Sequence, residues 1–370
     1  MINEKRLLER FLKYVQVDSP TMEEREFAIV LKSELEELGM EVRMDDAGEK
    51  VGSNSGNLIG LLKGTTEGES ILFSAHMDTV SPGKGVKPQI KDGVIYSDGT
   101  TILGGDDKAG IAAVVEAIQS IHENNIPHGD IEVAFTIFEE GGLFGSKNLD
   151  YSSIRSKKGF VLDSGGDPGT IIVQGPAQNK IDVKFIGKEA HAGVAPETGI
   201  SAIQMAGEAI SNMKLLRIDD ETTANIGSIQ SEGPTNIVPK VVEFFAEARS
   251  LSDEKLKEQS DHMVKCCKEA AEKFGGSVEV SVENAYGAFK IAEDHPLVKV
   301  VEKACLALNF ESRTSKSGGG SDTNIFNANG IDAINLGVGE RKPHTLEEHL
   351  HITDLENSAK LVIEIIKQYA

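Results

Sequence analysis

The sequence predicts an α/β fold in which a mixed, mostly parallel sheet flanked by helices is interrupted by an inserted, smaller α+β domain. Three observations support this prediction. Strand-like and helix-like periods alternate through the first half of the chain. Three strand-like runs, ILFSA, VAFTIF and FVLD, are continuously apolar, as parallel strands covered on both faces are. At 370 residues, the chain is also too long for one domain of typical size.

The first predicted elements are two helices. Residues 4–15 and 22–39 have the apolar spacing of amphipathic helices, and Gly39 is expected to end the second one. The segment DSPTMEE is expected to supply the N-cap of that helix, because a Ser or Thr precedes Glu in it. The later elements are predicted as strands at NLIGLLKG, SILFSAH, GVIYSDG, IEVAFTIFEE and KGFVLDS, with a helix at AGIAAVVEAIQSIHE before the fourth strand.

The pattern changes between residues 178 and 287. Strand-like and helix-like segments follow there in the split β-α-β order of a ferredoxin-like unit. A helix, a strand and a C-terminal helix then resume the earlier pattern. The sequence therefore predicts a main domain made of residues 1–177 and 288–370, with residues 178–287 inserted into it.

The composition restricts the classes of partner. The 38 Lys and Arg residues oppose 59 Asp and Glu residues, and the net charge of -21 argues against binding to nucleic acid or to anionic membrane surfaces. The sequence has no signal-peptide pattern and no run of 18 apolar residues. Three cysteines without disulfide-type spacing fit a reducing compartment, so a cytoplasmic protein is expected.

Metal-binding side chains recur where predicted strands end, which is where functional groups collect in an open α/β sheet. Histidine and carboxylate ligands without thiolate suit hard or borderline divalent cations, and two such ions need a shared carboxylate bridge. The predicted ligands are Asp106 as the bridge, His76 with Asp163 for one ion, and Glu140 with His344 for the other.

Each of these residues taken alone has a simpler explanation. A His-x-Asp after a strand is usually a surface pair, and adjacent acids often form a solvated turn. An Asp at a helix N-terminus is favoured by the helix dipole. The coincidence of five such residues at strand ends and turns is what favours a metal centre.

Two more acids receive roles around the predicted ions. Asp78 is expected to accept the second N–H of His76, which fixes the tautomer of the ligating imidazole. Consecutive residues leaving a strand point in different directions, so Glu140 can ligate while Glu139 faces the attacking water as general base. The ions are expected to lower the pKa of that water and to polarise the scissile carbonyl.

The segments SAHMDT, GGDDKAG, FTIFEEGG, VLDS and HTLEE together resemble the motif series of the di-zinc exopeptidase and amidohydrolase clan, which contains peptidase T, aminoacylase, carboxypeptidase G and succinyl-diaminopimelate desuccinylase. The resemblance spans nearly the whole chain in the same order. It implies two zinc ions, with cobalt or manganese as substitutes, held by the ligands named above. It also favours Asp106 over Asp107 as the bridge, because the bridging Asp of the clan stands two residues before a Lys, here Lys108.

The resemblance also assigns a role to the inserted segment. By similarity it is a lid and dimerisation domain, so a homodimer is expected. In GKEAHAGVAPETG, His191 is implied to reach the active site of the partner subunit and to stabilise the oxyanion there. Asn236 in GPTNIVP, Arg249 in AEARS and Gly319 in SGGGSDTN are implied to contact the substrate. Arg249 is expected to pair with a substrate carboxylate, with a structural salt bridge as the alternative.

Within the clan, GGDDKAG followed by EEGGLFGSKNLD most resembles the peptidase T group, whose members are aminopeptidases of short peptides. The late motif GGGSDTN departs from the Gly-Gly-Thr-Asp-Gly of that group. The expected function is a zinc-dependent aminopeptidase that cleaves the N-terminal peptide bond of short peptides. The alternatives are an N-acyl amino acid amidohydrolase with the same chemistry and a non-catalytic dimeric binding protein.

Overall fold

A computed structural model describes residues 2–370. The chain forms two compact units. The first holds the chain up to Val173 together with Lys290–Lys316 and Ser321–Ala370, and the second holds Gln174–Phe289 together with Ser317–Gly320. The boundaries predicted from the sequence follow residues 177 and 287 and leave residues 317–320 in the main domain.

The first unit is built from strands and helices that alternate along the chain. Its strands are β1 (Glu41–Met44), β2 (Leu58–Leu62), β3 (Ile71–His76), β4 (Gln89–Lys91), β5 (Val94–Tyr96), β6 (Ile131–Thr136), β7 (Lys158–Ser164), β8 (Thr170–Gly175), β14 (Phe289–Lys290), β15 (Arg313–Lys316), β16 (Asp332–Gly337), β17 (Glu340–Arg341) and β18 (His349–His351). Its helices are α1 (Glu4–Val15), α2 (Arg25–Glu37), α3 (Ala47–Val51), α4 (Gly105–Glu123), α5 (Phe144–Lys147), α8 (Pro296–Leu308), α9 (Asp322–Ala328) and α10 (Ile352–Lys367).

The main sheet of this unit is mixed. Its strand order is β1-β2-β6-β3-β7-β16-β8, with β14 and β15 beyond β8. The four central strands β6, β3, β7 and β16 run parallel, whereas β2 and β8 pair antiparallel with them on either side. Every residue of β3 and β6 is buried, as their continuous apolar runs predict. The predicted mixed sheet with flanking helices is confirmed, and parallel pairing is concentrated at its centre.

Helix α4 carries Asp106 in its first turn and is buried almost throughout. Sixteen of its 19 residues are buried, because small and apolar side chains surround its axis and a helix of that kind packs on all sides. Near its middle, the fully buried carboxylate of Glu116 forms ion pairs with Arg6 and Arg10 of α1. This packing holds the N-terminal turn of α4, which carries Asp106, against the sheet.

Several local predictions differ from the structure. Helix α2 begins at Arg25, and its N-cap residue is Glu24, whose side chain makes no capping hydrogen bond. The Ser or Thr cap predicted in DSPTMEE is therefore wrong. The sequence reasoning also missed β1, β8 and α9, the last of which starts inside the segment SGGGSDTN.

The second unit is an antiparallel sheet covered by two helices. The strands are β9 (Ala177–Ile186), β10 (Leu216–Arg217), β11 (Thr222–Gln230), β12 (Val241–Ser250) and β13 (Ser277–Tyr286), and the helices are α6 (Ala202–Asn212) and α7 (Asp253–Phe274). The sheet order is β10-β11-β12-β9-β13, the ferredoxin-like arrangement that the sequence predicts. Alternate residues of β9 and β12 pack with both helices in its core. Within residues 2–370, no helix has the length and apolarity needed to cross a membrane.

Candidate metal centre

The candidate site lies at the carboxyl ends of neighbouring parallel strands. His76 is the last residue of β3 and lies opposite Thr136, the last residue of β6. Asp163 is the next-to-last residue of β7, on the other side of β3. Since the carboxyl ends of adjacent parallel strands share one edge, His76, Asp163 and the turn after β6 come together there.

Asp106 stands between the two predicted histidines. Its Oδ1 lies 2.9 Å from Nε2 of His76, and its Oδ2 lies 3.1 Å from Nε2 of His344. Burial raises the pKa of this carboxyl, but hydrogen bonds with His344 and His76 outweigh that effect and hold the pKa below its usual value. One carboxylate therefore presents a different oxygen to each imidazole.

The remaining predicted ligands lie beside these histidines. Oε1 of Glu140 lies 2.9 Å from Nε2 of His344, and Oδ1 of Asp163 lies 3.8 Å from Nε2 of His76. Burial, in both cases the largest cause, raises the pKa of Glu140 and of Asp163. All five residues of the predicted ligand set thus converge on one location.

Asp107, the alternative to Asp106, faces the backbone. Its Oδ2 accepts the N–H of His76 and its Oδ1 accepts the N–H of Gly110, both at 3.2 Å. Asp107 is fully buried, and burial raises its pKa well above the usual value. The hydrogen bonds of Asp107 therefore favour a supporting position, and those of Asp106 favour the bridging one.

Asp78 contacts the site differently from the sequence-based expectation. Nδ1 of His76 lies 2.8 Å from the backbone carbonyl oxygen of Asp78, whereas the nearer carboxylate oxygen is 3.6 Å away. The carbonyl thus accepts the Nδ1–H of His76, and the expected carboxylate contact is replaced. This hydrogen bond still fixes the imidazole with Nε2 directed towards Asp106.

The carboxylate of Asp78 instead organises the turn after β6. Its Oδ1 accepts the N–H of Glu139 at 2.9 Å, and its Oδ2 accepts the N–H of Glu140 at 3.2 Å. The hydroxyl of Thr21 also donates to Oδ2, at 2.8 Å. Because Asp78 is fully buried, these three donors offset the cost of its charge and hold both glutamates in place.

Two further side chains, which the sequence reasoning missed, also accept backbone N–H groups of the segment after β6. Oε1 of Glu24 accepts the N–H of Phe138 at 3.0 Å, and Oδ1 of Asn57 accepts the N–H of Ile137 at 3.0 Å. Four consecutive backbone N–H groups, from Ile137 to Glu140, are thus accepted by side chains. Phe138 has φ of +50°, so this turn includes a residue in the left-handed region that its neighbours hold.

Glu348 plays the corresponding part for Asp106. Its Oε2 accepts the N–H groups of Leu103 and Gly104, both at 2.8 Å, and its Oε1 accepts the N–H of Asp106 at 3.0 Å. The sequence reasoning quoted HTLEE but assigned only His344 in it. Glu348 lies four residues after His344, a predicted ligand, and the sequence alone does not distinguish such a buried acid from a surface glutamate.

Glu139, the predicted general base, is buried beside the predicted ligands. It is 9% exposed, and burial followed by the charge of Asp163 raises the pKa of its carboxyl well above the usual value. Within residues 2–370, the groups of three potential metal ligands that lie within 4.8 Å of one another include Glu140 but not Glu139. The two adjacent glutamates therefore occupy different positions, as their sequence order suggests.

The four residues implied to contact substrate all lie in the second unit. Nδ1 of His191 accepts the N–H groups of Gly193 and Val194, which leaves its exposed Nε2 as the donor. The carbonyl of Asn236 accepts the N–H of Ala192. The two other residues contact near neighbours in sequence: Arg249 forms a two-pronged ion pair with Glu247, and Gly319 exchanges hydrogen bonds with Ser317.

The donor set fits divalent cations. Three groups of side chains have candidate ligand atoms within 4.8 Å of one another: His76, Asp106 and Glu140; His76, Asp107 and Asp163; and Asp106, Asp163 and Glu340. Oε1 of Glu140 is buried and receives no hydrogen bond from residues 2–370, although His344 lies beside it. A buried carboxylate oxygen without a donor, next to imidazole nitrogens, is suited to a cation.

The sequence of this chain matches a known protein family. The model described as Peptidase family M20/M25/M40 matches residues 72–368. The chain belongs to this peptidase family. The M20/M25/M40 match includes all five predicted ligands and both predicted catalytic acids. The predicted assignment as a metal-dependent, peptidase-type hydrolase is thereby confirmed.

Three individual proteins are similar to this chain over nearly its whole length. An aminopeptidase PepT structure from Bacillus cereus is 46% identical, with a TM-score of 0.91, and the match covers 100% of this chain and 99% of that one. A tripeptidase structure from Staphylococcus aureus is 44% identical, with a TM-score of 0.96 and the same coverage. Peptidase T of Clostridium perfringens is 29% identical over 419 residues, which cover 99% of each chain. The predicted likeness to the peptidase T group is confirmed.

Proposed function

We propose that this M20/M25/M40 protein is an aminopeptidase of short peptides that uses two divalent cations. The observation that carries the proposal is the position of Asp106, whose two oxygens face separate histidines. His76 and Asp163 would hold one ion, and Glu140 and His344 the other. Zinc is the metal that we propose, because imidazole and carboxylate donors without thiolate suit it, with cobalt and manganese as substitutes.

Two cations at this location would polarise the scissile carbonyl and lower the pKa of the attacking water. Glu139 accepts the proton of that water as general base and returns a proton to the leaving amine. Its position supports this role, because Glu139 is buried directly beside the proposed ligand Glu140 and is not itself one of the grouped ligand residues. Asp78 keeps Glu139 and Glu140 in their separate positions through the two backbone N–H groups.

The preference for short peptides with a free N-terminus is supported by the names of the similar proteins, PepT and tripeptidase. The experiment is a panel of one dipeptide, tripeptide and tetrapeptide, the N-acetylated tripeptide, and N-acetyl and N-succinyl amino acids. We expect the free tripeptide to give the highest kcat/KM and N-acetylation to lower it at least tenfold. A preference for the acylated amino acids would establish the amidohydrolase alternative instead.

Metal content is measured separately. Protein purified without chelator should contain two divalent ions per chain by elemental analysis, and chelation should remove activity that zinc restores. Fewer than two ions in a fully active chain would contradict the paired site. This result is independent of the substrate panel, so the metal and the substrate parts of the proposal can fail separately.

We further propose that the chain forms a homodimer in which His191 donates from Nε2 to the oxyanion in the active site of the partner subunit. The exposed Nε2 of His191 supports this role. Asn236, Arg249 and Gly319 are proposed substrate contacts, and Arg249 would have to exchange Glu247 for a substrate carboxylate. Mixing inactive Glu139→Gln protein with inactive His191→Ala protein should restore part of the activity, whereas no recovery after verified subunit exchange would rule out action between subunits.

A further inference from the structure

One buried carboxylate beside the site has no role in the mechanism above. Glu340 begins β17 and is 4% exposed. Its Oε2 is buried and accepts no hydrogen bond from residues 2–370. The adjacent guanidinium of Arg341 pairs with Asp167 and Asp354 instead. Burying an unpaired carboxylate oxygen costs free energy. A bound cation would offset that cost, whereas residues 2–370 supply no donor to this oxygen.

Glu340 faces two of the proposed metal ligands. One of its carboxylate oxygens lies within 4.8 Å of oxygens of both Asp106 and Asp163, and those oxygens lie equally close to each other. Three carboxylates that converge in a buried place repel one another when ionised, unless a cation lies among them. Candidate ligand atoms of His76, Asp106 and Glu140, which are proposed to share the ions, also lie within 4.8 Å of one another.

Three other buried acids around the site accept hydrogen bonds from the protein. Asp78 and Glu348 each accept three hydrogen bonds, mainly from backbone N–H groups. Asp322 accepts the hydroxyl groups of Thr136 and Ser146. These three carboxylates have donors that offset their charge. Glu340 lacks such donors at Oε2, and in this respect it resembles Glu140, a proposed ligand.

We propose that Glu340 is a further carboxylate ligand of the ion held by His76 and Asp163. This inference rests on the metal pair of the proposed function. It gives the two ions different numbers of protein ligands. One ion would have four protein ligands, His76, Asp106, Asp163 and Glu340, and the other would have three, Asp106, Glu140 and His344. The two ions should therefore bind in two steps of different affinity, with Glu340 strengthening the tighter step.

The test is a zinc titration of the metal-free protein by calorimetry with a competing chelator. Glu340→Gln keeps the side-chain volume but removes the charge, and Glu340→Asp keeps the charge but shortens the reach. Glu347→Gln is the matched control, because Glu347 lies seven residues further along the chain, is exposed and pairs with Lys342. Circular dichroism of each metal-free variant verifies that it is folded.

We expect Glu340→Gln and Glu340→Asp to weaken zinc affinity in the tighter step at least tenfold. Losing a residue that only supports a metal ligand weakens affinity by about 10–100-fold, and losing a ligand should cost at least as much. Glu347→Gln should leave both steps unchanged. A structure of the zinc-loaded wild-type protein should place an oxygen of Glu340 about 2.0–2.2 Å from an ion.

Two outcomes would overturn the assignment. One is unchanged affinity in both Glu340 variants while the wild-type protein binds two ions. The other is a zinc-loaded structure in which the carboxylate lies more than ~3 Å from either ion, outside the range of a carboxylate–zinc bond. A wild-type protein that binds no zinc would instead refute the proposed function, so the two failures are distinguishable.

Discussion

Replacing Asp78 by asparagine tests whether its carboxylate holds Glu139, the proposed general base, in position. The carboxylate accepts the N–H groups of Glu139 and Glu140 and the hydroxyl of Thr21. Asparagine has almost the same shape but only one oxygen. Its amide N–H2 would therefore face one of the two backbone N–H groups, and two donors would meet in a fully buried place.

The expected loss follows from these contacts. A hydrogen bond to a charged group contributes about 1.5–3 kcal/mol, and a buried donor left without an acceptor costs about 1–3 kcal/mol. If about 3–4 kcal/mol of this total acts against the active arrangement of the turn, kcat/KM falls by roughly 10²–10³, since 1.36 kcal/mol corresponds to a factor of ten.

The assay compares kcat/KM for a free tripeptide in the wild-type protein, in Asp78→Asn and in Thr21→Val. The valine variant removes one hydrogen bond to the carboxylate but leaves both backbone N–H groups accepted, so its kcat/KM should fall by about tenfold, which corresponds to the lower end of the range for such a bond. Metal content is measured for each variant. If Asp78→Asn with full metal content retains more than ~10% of the wild-type kcat/KM, the Asp78 carboxylate does not hold the turn as argued.

Three other predictions concern the base, the metals and the fold. Glu139→Gln should keep its metal content by elemental analysis while kcat falls about 100-fold or more; unchanged kcat would exclude it as the base. The adjacent carboxylates of Asp106 and Glu140 raise the pKa of His344 to about 10, so zinc binding at pH 7 should release protons and strengthen as pH rises. Calorimetric heats that do not depend on the buffer would contradict this. Glu116→Gln should destabilise the protein by about 1.5–3 kcal/mol in urea unfolding, because it removes the buried charge that pairs with Arg6 and Arg10, while Glu34 still pairs with Arg10. Glu123→Gln, at the exposed end of the same network, should cost about 1 kcal/mol or less.

The sign of the pH effect on the metal-free protein follows from the same histidine. The pKa of His344 in the folded chain is about 10, above its ordinary value of about 6.5. Its contribution to the stability of the metal-free protein is therefore complete below pH of about 6.5 and is lost as pH rises towards 10. Added zinc should reverse this trend, because it binds the neutral imidazole.

The sequence was most informative where one physical requirement acts alone. Continuous apolar runs predicted β3 and β6, because strands buried on both faces need them. The polar residues that follow such runs then pointed to the strand ends, where His76 and Asp106 do meet. Both inferences need only the order of residues along the chain and the rule that parallel strands align their ends.

The sequence was least informative where a side chain contacts a distant backbone group. Glu24 belongs to a segment with the pattern of a helix cap, yet its carboxylate accepts the N–H of Phe138 from a turn 114 residues away. Glu348 likewise accepts N–H groups more than 240 residues away. Nothing in the local pattern distinguishes these buried acids from exposed ones, since their burial depends on which loops pack together in the fold.

The hydrogen-bond donors around each acid provide a way to separate supporting carboxylates from ligating ones. Asp78, Glu24 and Glu348 accept backbone N–H groups, so their charges are offset by the protein and they hold the turns that carry the proposed ligands. Glu140 and Glu340 each have a buried oxygen without a donor. The negative charge of such an oxygen is not offset by the protein, so in a buried cluster of acids it gains the most from a bound cation. The supporting acids should therefore govern the geometry of catalysis, and the acids without donors should govern metal affinity.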